Sequence, residues 1–114
     1  MRDDRQRLED ILEAANFVLD FTRNRNKEAL AKDQLLQSAV LHQLHVIGEA
    51  ANRLTDAIKQ KYPELPWAAI YGFRNRIAHE YFKLDIDLVW TTVQSDIPQL
   101  TKGIAEIIRS EFSS

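Results

Sequence analysis

Apolar residues recur every three or four positions along almost the whole chain, and only three Gly and three Pro interrupt its 114 residues. A stripe with that period buries itself by coiling into helices that pack on one another; a half-buried strand would need alternation at every second residue. Leu8, Ile11, Leu12, Ala15, Val18, Leu19 and Thr22 predict a first helix over roughly residues 3–23. Arg23-Asn24-Arg25-Asn26 breaks it. Asp33 is suited to cap the next helix, and Asn26 with Glu28 offers an earlier start. Leu35, Leu36, Ala39, Val40, Val46, Ile47, Ala50, Ala51, Leu54 and Ile58 predict a long second helix ending near Tyr62-Pro63.

Pro66 suits the first position of a third helix, with Trp67, Ile70, Tyr71, Phe73 and Ile77 on its buried side and an end near Phe82. After the connector Lys83-Leu84-Asp85-Ile86-Asp87, either Asp can cap a last helix built on Leu88, Val89, Trp90, Val93, Ile97, Leu100, Ile104, Ile107 and Ile108. Pro98 either kinks that helix or restarts it after Asp96. The expectation is all-α: an antiparallel bundle of four to five helices, one domain spanning residues 1–114.

The absence of Cys excludes disulfides, thiolate zinc sites and a Cys nucleophile. The charged start Met1-Arg2-Asp3-Asp4-Arg5 is not a signal core, and no run is long enough to span a bilayer. We expect a cytoplasmic protein without a membrane partner. The net charge of −2 argues against a general nucleic-acid coat, but the charge is unevenly spread. Residues 1–22 carry three basic against six acidic groups, and residues 84–114 two against five. Arg74, Arg76 and Lys83 outnumber Glu80 in residues 66–83, as Arg53, Lys59 and Lys61 outnumber Asp56 in residues 52–61. Backbone phosphates would be drawn to this basic middle, which makes Arg76 and Lys83 candidate phosphate contacts.

Within it, Arg74-Asn75-Arg76-Ile77-Ala78-His79-Glu80-Tyr81 collects the groups needed to hold a phosphodiester and move protons around it. Arg offers a planar fork to phosphate oxygens, and His titrates near neutral pH. On an ideal helix Arg74 and Tyr81 fall about 20° apart, Arg74 and His79 about 140° apart, while Asn75 and His79 share a face. Arg74 and His79 therefore meet only if the helix loosens near its end or if two copies of it converge on a two-fold axis. The second is preferred, because Gly72 and Ala78 are small enough to let two such helices approach.

Arg74-Asn75 through His79-x-Tyr81 resembles the Rx4-6HxY signature of the HEPN superfamily, specifically its HepT-like toxin branch. Pro66-Trp67, Gly72, Phe82, Asp85 and Ile47-Gly48-Glu49-Ala50 support the likeness, which covers nearly the whole chain. It implies an all-helical homodimer and a metal-independent endoribonuclease without cofactor, acting on an RNA substrate. Arg74, Asn75 and His79 would form its cleavage site. It also implies a partner, a minimal nucleotidyltransferase antitoxin, that silences the toxin by transferring AMP to Tyr81. The residue types agree with that chemistry. The RNA 2′-hydroxyl is the nucleophile, His79 suits the proton transfers, Arg74 the transition-state charge, and Asn75 the orientation of His79 or a phosphate oxygen.

Other readings stand beside this one. Arg74 and Arg76 can pair with surface acids, His79 can favour a helix end, and Tyr81 can sit at an amphipathic rim. The same pocket can belong to a non-enzymatic nucleotide-binding or scaffold module that partners a nucleotidyltransferase. His42, His45 and Glu49, at spacings of three and four, can share a helix face as metal ligands, but no fourth ligand is evident and no metal site is assigned. Trp67, Tyr71, Phe73, Phe82 and Trp90 fit core or dimer packing better than base stacking, and the acidic first helix is most simply a solvated face.

Overall fold

The computed structural model describes residues 2–72 and 85–112. Every regular element among them is helical. They are α1 (Arg2–Thr22), α2 (Lys27–Lys32), α3 (Gln34–Arg53), α4 (Asp56–Lys61), α5 (67–72), α6 (Ile86–Thr91), a π-helical turn (Thr92–Asp96) and α7 (Ile97–Phe112).

The three long helices α1, α3 and α7 carry the core. Leu8, Ile11, Ala15 and Val18 of α1 face Val40, Leu44, Ile47 and Ala51 of α3 and Ile97, Leu100, Ile104 and Ile107 of α7, all buried. α1 makes its most extensive contact with α3 and the next with α7. Asp4 at the start of α1 reaches Thr55, just beyond α3, so these helices run antiparallel. Leu19 and Thr22 at the end of α1 share a cleft with Val93 and Pro98, so α1 and α7 are antiparallel too.

Local chemistry sets most boundaries. Asn24, the one described non-Gly residue at positive φ (59°), turns the chain after α1, a conformation Asn tolerates better than most. Both starts offered after Arg23 are used, one for each of two helices. Asn26 Oδ1 accepts the Ala29 N–H at 2.8 Å and opens α2, and Asp33 Oδ1 accepts the Leu36 N–H at 3.0 Å and opens α3. Asp85 caps α6 through the Leu88 N–H, while Asp87 pairs with Lys27 at 2.8 Å and ties α6 to α2. Hydrogen bonding to Asp87 holds the Lys27 pKa above its ordinary value.

Two expectations are corrected, and the alternative left open at Pro98 is decided. The long second helix does not run to Tyr62: it ends at Arg53, Leu54 is extended (ψ 146°), and α4 begins at Asp56. The cause is Asp4, 2% exposed, whose carboxylate accepts the Thr55 N–H at 3.0 Å and the Thr55 hydroxyl at 2.6 Å. Asp4 is thus a buried, bonded group and not part of a solvated acidic face. Pro66 precedes α5 and does not stand inside it, its carbonyl accepting the Ile70 N–H at 3.0 Å. Pro98 restarts the last helix after Asp96, one of the two outcomes its position offered: a π-helical turn ends at Asp96 and α7 begins at Ile97. Lacking an N–H, Pro98 cannot serve the Gln94 carbonyl, and the preceding turn widens so that the Ile97 N–H reaches Thr92 O, five residues back.

Gly103 matters for packing. A Cβ there would overlap Leu65 Cδ2 and lie 3.1 Å from Leu65 Cγ, so the bare backbone of α7 is what admits Leu65 into the core. No helix among the described residues is long and apolar enough to cross a membrane.

Candidate active site

The segment of Arg74, Asn75, Arg76, His79 and Tyr81, together with Lys83, Ala78, Phe73, Ile77 and Phe82, lies outside the described residues. What is described is the platform from which it departs. Ile70 is 1% exposed and anchors α5 in the core, with Trp67 and Tyr71 partly buried against it. Those two aromatics, and Trp90 on α6, therefore serve packing. Among the described residues, a Cβ at Gly72 would meet nothing within 4 Å.

Three polar ties fix this platform to the bundle. The Trp67 indole N–H donates to Tyr62 O at 2.9 Å. Lys59, largely buried, donates to the Tyr71 hydroxyl and to Ala51 O at 3.5 Å, with its ammonium 4.8 Å from the Tyr71 ring centroid. The Tyr62 hydroxyl donates to Glu111 Oε2 at 2.5 Å, and Lys61 reaches the same oxygen at 2.7 Å. The hydrogen bond from Lys61, then that from Tyr62, holds the Glu111 carboxyl below the ordinary carboxylate range. The same carboxylate raises the pKa of Lys61 and of the Tyr62 phenol, in each case chiefly through the hydrogen bond. α4 and α5 are thereby joined to the last turns of both α3 and α7.

Between α1 and the second half of α3 runs a cleft of about 360 Å3 lined by Arg7, Asp10, His45, Glu49 and Arg53. His45 and Arg53 are exposed, while Arg7 and Glu49 are partly buried. His42 is exposed on α3 but does not line the cleft. Among the described residues no three His, Cys, Asp or Glu side chains are grouped to hold a metal ion, so His42, His45 and Glu49 do not form a ligand set on their own. The buried Ile47, Gly48 and Ala50 set the flanks of Glu49 against the core. Arg7 was not singled out by the sequence, because its relation to Arg53 exists only once α1 and α3 pack. The one local signal was its position one turn after Asp4 on the same helix face.

Helical elements throughout the described residues, with a segment of basic sequence following the α4–α5 platform, define a class whose chemistry resides in a few side chains carried by a helical scaffold. The particular family follows from comparison: residues 11–107 match the model of the HepT-like ribonuclease family, and the chain belongs to it. A putative RNase of Methanocaldococcus jannaschii is 35% identical over 103 residues, covering 90% of this chain and 94% of that protein. A putative RNase of Caldanaerobacter subterraneus is 33% identical over 111 residues, covering 97% and 99%. A probable ribonuclease HepT of Thermococcus cleftensis is 39% identical over 102 residues, covering 90% and 92%. No solved structure gives a significant match. Membership confirms the HEPN/HepT-like resemblance and supports ribonuclease activity.

Proposed function

We propose that this protein is a metal-independent endoribonuclease toxin that acts as a homodimer, with Arg74, Asn75 and His79 as its catalytic residues and Tyr81 as the point of control. The observation that carries the reading is that the family match over residues 11–107 spans the complete Arg74-Asn75…His79-x-Tyr81 pattern.

His79 accepts the proton of the RNA 2′-hydroxyl as the 2′-oxygen bonds to phosphorus. The P–O5′ bond then breaks, and the 5′-oxygen takes a proton from an imidazolium. The products are a 2′,3′-cyclic phosphate and a free 5′-hydroxyl. Arg74 stabilises the charge of the crowded phosphorane, a role whose loss typically costs about 10²–10³ in rate. Asn75, one helical turn from His79, orients the imidazole, while Arg76 and Lys83 hold flanking phosphates. Because Arg74 and His79 point about 140° apart on one ideal helix, the site draws them from two copies of the chain. Such a dimer supplies two imidazoles, one to act as base and one as acid.

The same reading gives Tyr81 its role. A minimal nucleotidyltransferase antitoxin transfers AMP from ATP to the Tyr81 oxygen, with pyrophosphate leaving and the phenolic proton lost. The added phosphodiester brings negative charge and bulk to the place where substrate phosphate enters, and so closes the site.

The test is cleavage of RNA in EDTA by purified protein, free of adenylyl groups, beside Arg74→Ala and His79→Ala. Wild type should cleave and both variants should lose at least about 10²-fold in rate. Equal cleavage by all three, or none by any, rejects the assignment. Intact-mass measurement after co-expression with a minimal nucleotidyltransferase tests control: AMP increments should be present on wild type and missing from Tyr81→Phe.

A further inference from the structure

Arginines on this surface are paired almost by rule. Arg5 meets Glu9 at 3.0 Å, Arg23 meets Asp20 at 2.7 Å, Arg25 meets Asp33 at 3.7 Å, and Arg109 meets Glu106. Arg7 and Arg53 are the exceptions: among the described residues neither has a carboxylate within ion-pairing distance. Both line the α1–α3 cleft, although they are 46 positions apart in sequence.

Their convergence is built into the fold. Asp4, one turn before Arg7, is buried and bonded twice to Thr55, two residues after Arg53. That clamp holds the start of α1 against the end of α3, so both guanidiniums are carried by segments pinned to each other. Pinning the two segments fixes the spacing of the backbone positions that carry the arginines, so that only side-chain freedom is left to be lost on binding. The cleft also lies beside the platform of the candidate active site. Ala50 lines it, and the next residue, Ala51, accepts from Lys59, which also holds Tyr71 two residues before Phe73.

We propose that this cleft is an accessory RNA-binding subsite, in which Arg7 and Arg53 hold backbone phosphates of the strand whose scissile bond lies at the Arg74–His79 site. The proposal rests on the ribonuclease reading for its ligand. Free guanidinium forks match phosphate oxygens. The exposed His45 ring, which lines the same cleft, offers a flat face to an unstacked base, and carboxylate-bearing Asp10 offers an acceptor for a 2′-hydroxyl or an exocyclic amine. Asp10 Oδ1 already accepts from Gln6 at 3.0 Å, which leaves its second oxygen for such a donor. Glu49, the other carboxylate of the lining, is already engaged in an interaction of its own, so a ligand that brings phosphates together with hydroxyl and amine donors suits both the arginines and Asp10. The protein as a whole is slightly anionic, so specific unpaired arginines, not net charge, have to supply the attraction.

The experiment is fluorescence anisotropy with a 5′-fluorescein-labelled, mixed-sequence single-stranded RNA of twelve nucleotides, titrated with full-length protein carrying His79→Ala so that the probe stays whole. Adding Arg7→Gln and Arg53→Gln should weaken binding about tenfold and flatten the log Kd against log salt slope by about 1.4, at about 0.7 for each phosphate lost from a single strand. Arg7→Lys with Arg53→Lys should keep the wild-type slope, because the charge remains. Unchanged affinity and slope in the Gln pair overturn the proposal and point to a protein partner for the cleft. So does equal weakening in the Gln and Lys pairs with no change of slope, which marks a packing effect. The two readings fail separately. RNA held through the arginines by a protein that never cleaves sinks the ribonuclease and keeps the subsite; cleavage with indifferent arginines does the reverse.

Discussion

Replacing Asp4 with Ala removes two hydrogen bonds that join parts of the chain 51 residues apart, one from the Thr55 N–H at 3.0 Å and one from its hydroxyl at 2.6 Å. Bonds to a charged partner are each worth about 1.5–3 kcal/mol. Two terms pull the sum down. Burying the carboxylate, which is 2% exposed, already cost desolvation, and Thr55 is exposed enough for water to replace its lost acceptor. We expect a net loss of about 2 kcal/mol, which for a chain of this length lowers Tm by about 8 °C. The assay is a thermal melt followed by helical circular dichroism, at one protein concentration because any association would shift Tm by mass action. Thr55→Ala removes only the hydroxyl bond and should cost about 1 kcal/mol in wild type, but no more than about 0.3 kcal/mol in the Asp4→Ala background. A melt within about 2 °C of wild type, or full additivity of the two changes, would refute the claim that Asp4 sets the α3–α4 break.

Other contacts give independent tests. Gly103→Ala gains about 1 kcal/mol of helix propensity but crowds Leu65, at a cost of about 1–3 kcal/mol, so it should destabilise wild type by about 1 kcal/mol in denaturant unfolding. In a Leu65→Ala background the sign should reverse, and failure to reverse would remove Leu65 as the obstacle. Asp33→Ala should cost about 1 kcal/mol through loss of the α3 cap, read from the same curves; no loss would deny the Asp33–Leu36 bond a capping role. Glu111 has a depressed folded pKa, so its contribution is present above the unfolded carboxyl pKa, about 4.3, and is lost as pH falls through the folded value. The Tm advantage of wild type over Glu111→Gln should therefore hold at pH 7 and shrink progressively as pH falls below about 4.3; a gap that stays constant from pH 7 to the lowest pH at which both proteins fold contradicts the charged Lys61–Glu111–Tyr62 link.

Composition and period were enough to make the chain helical, because 3.6-residue stripes have no other way to bury themselves. They also placed α1 to within a residue or two and marked Asn26, Asp33 and Asp85 as cap positions. Those caps act over three residues, so their chemistry is local and visible in a string of letters. The Arg74–Tyr81 inventory was legible for the same reason, as residue types at short spacing, and the family match over residues 11–107 agrees with the identity it suggested. The spatial arrangement of those residues lies outside the described residues, so it remains the subject of the cleavage test.

Tertiary structure decided what depends on distant partners. Nothing near Leu54 announces a break in a continuous apolar stripe; Asp4 imposes it by offering the Thr55 N–H a buried carboxylate. Gly103 reads as a weak point in a helix until Leu65 is seen lying across it. Pro98 widens the turn before it, and the regular helix resumes at Ile97 with Val93 and Ile97 both held in the core. Arg7 and Arg53 become neighbours only when α1 and α3 are clamped antiparallel. Sequence carries short-range chemistry in its spacing, but which distant groups meet is fixed by packing the whole chain at once, where burial selects the single arrangement that leaves polar groups bonded.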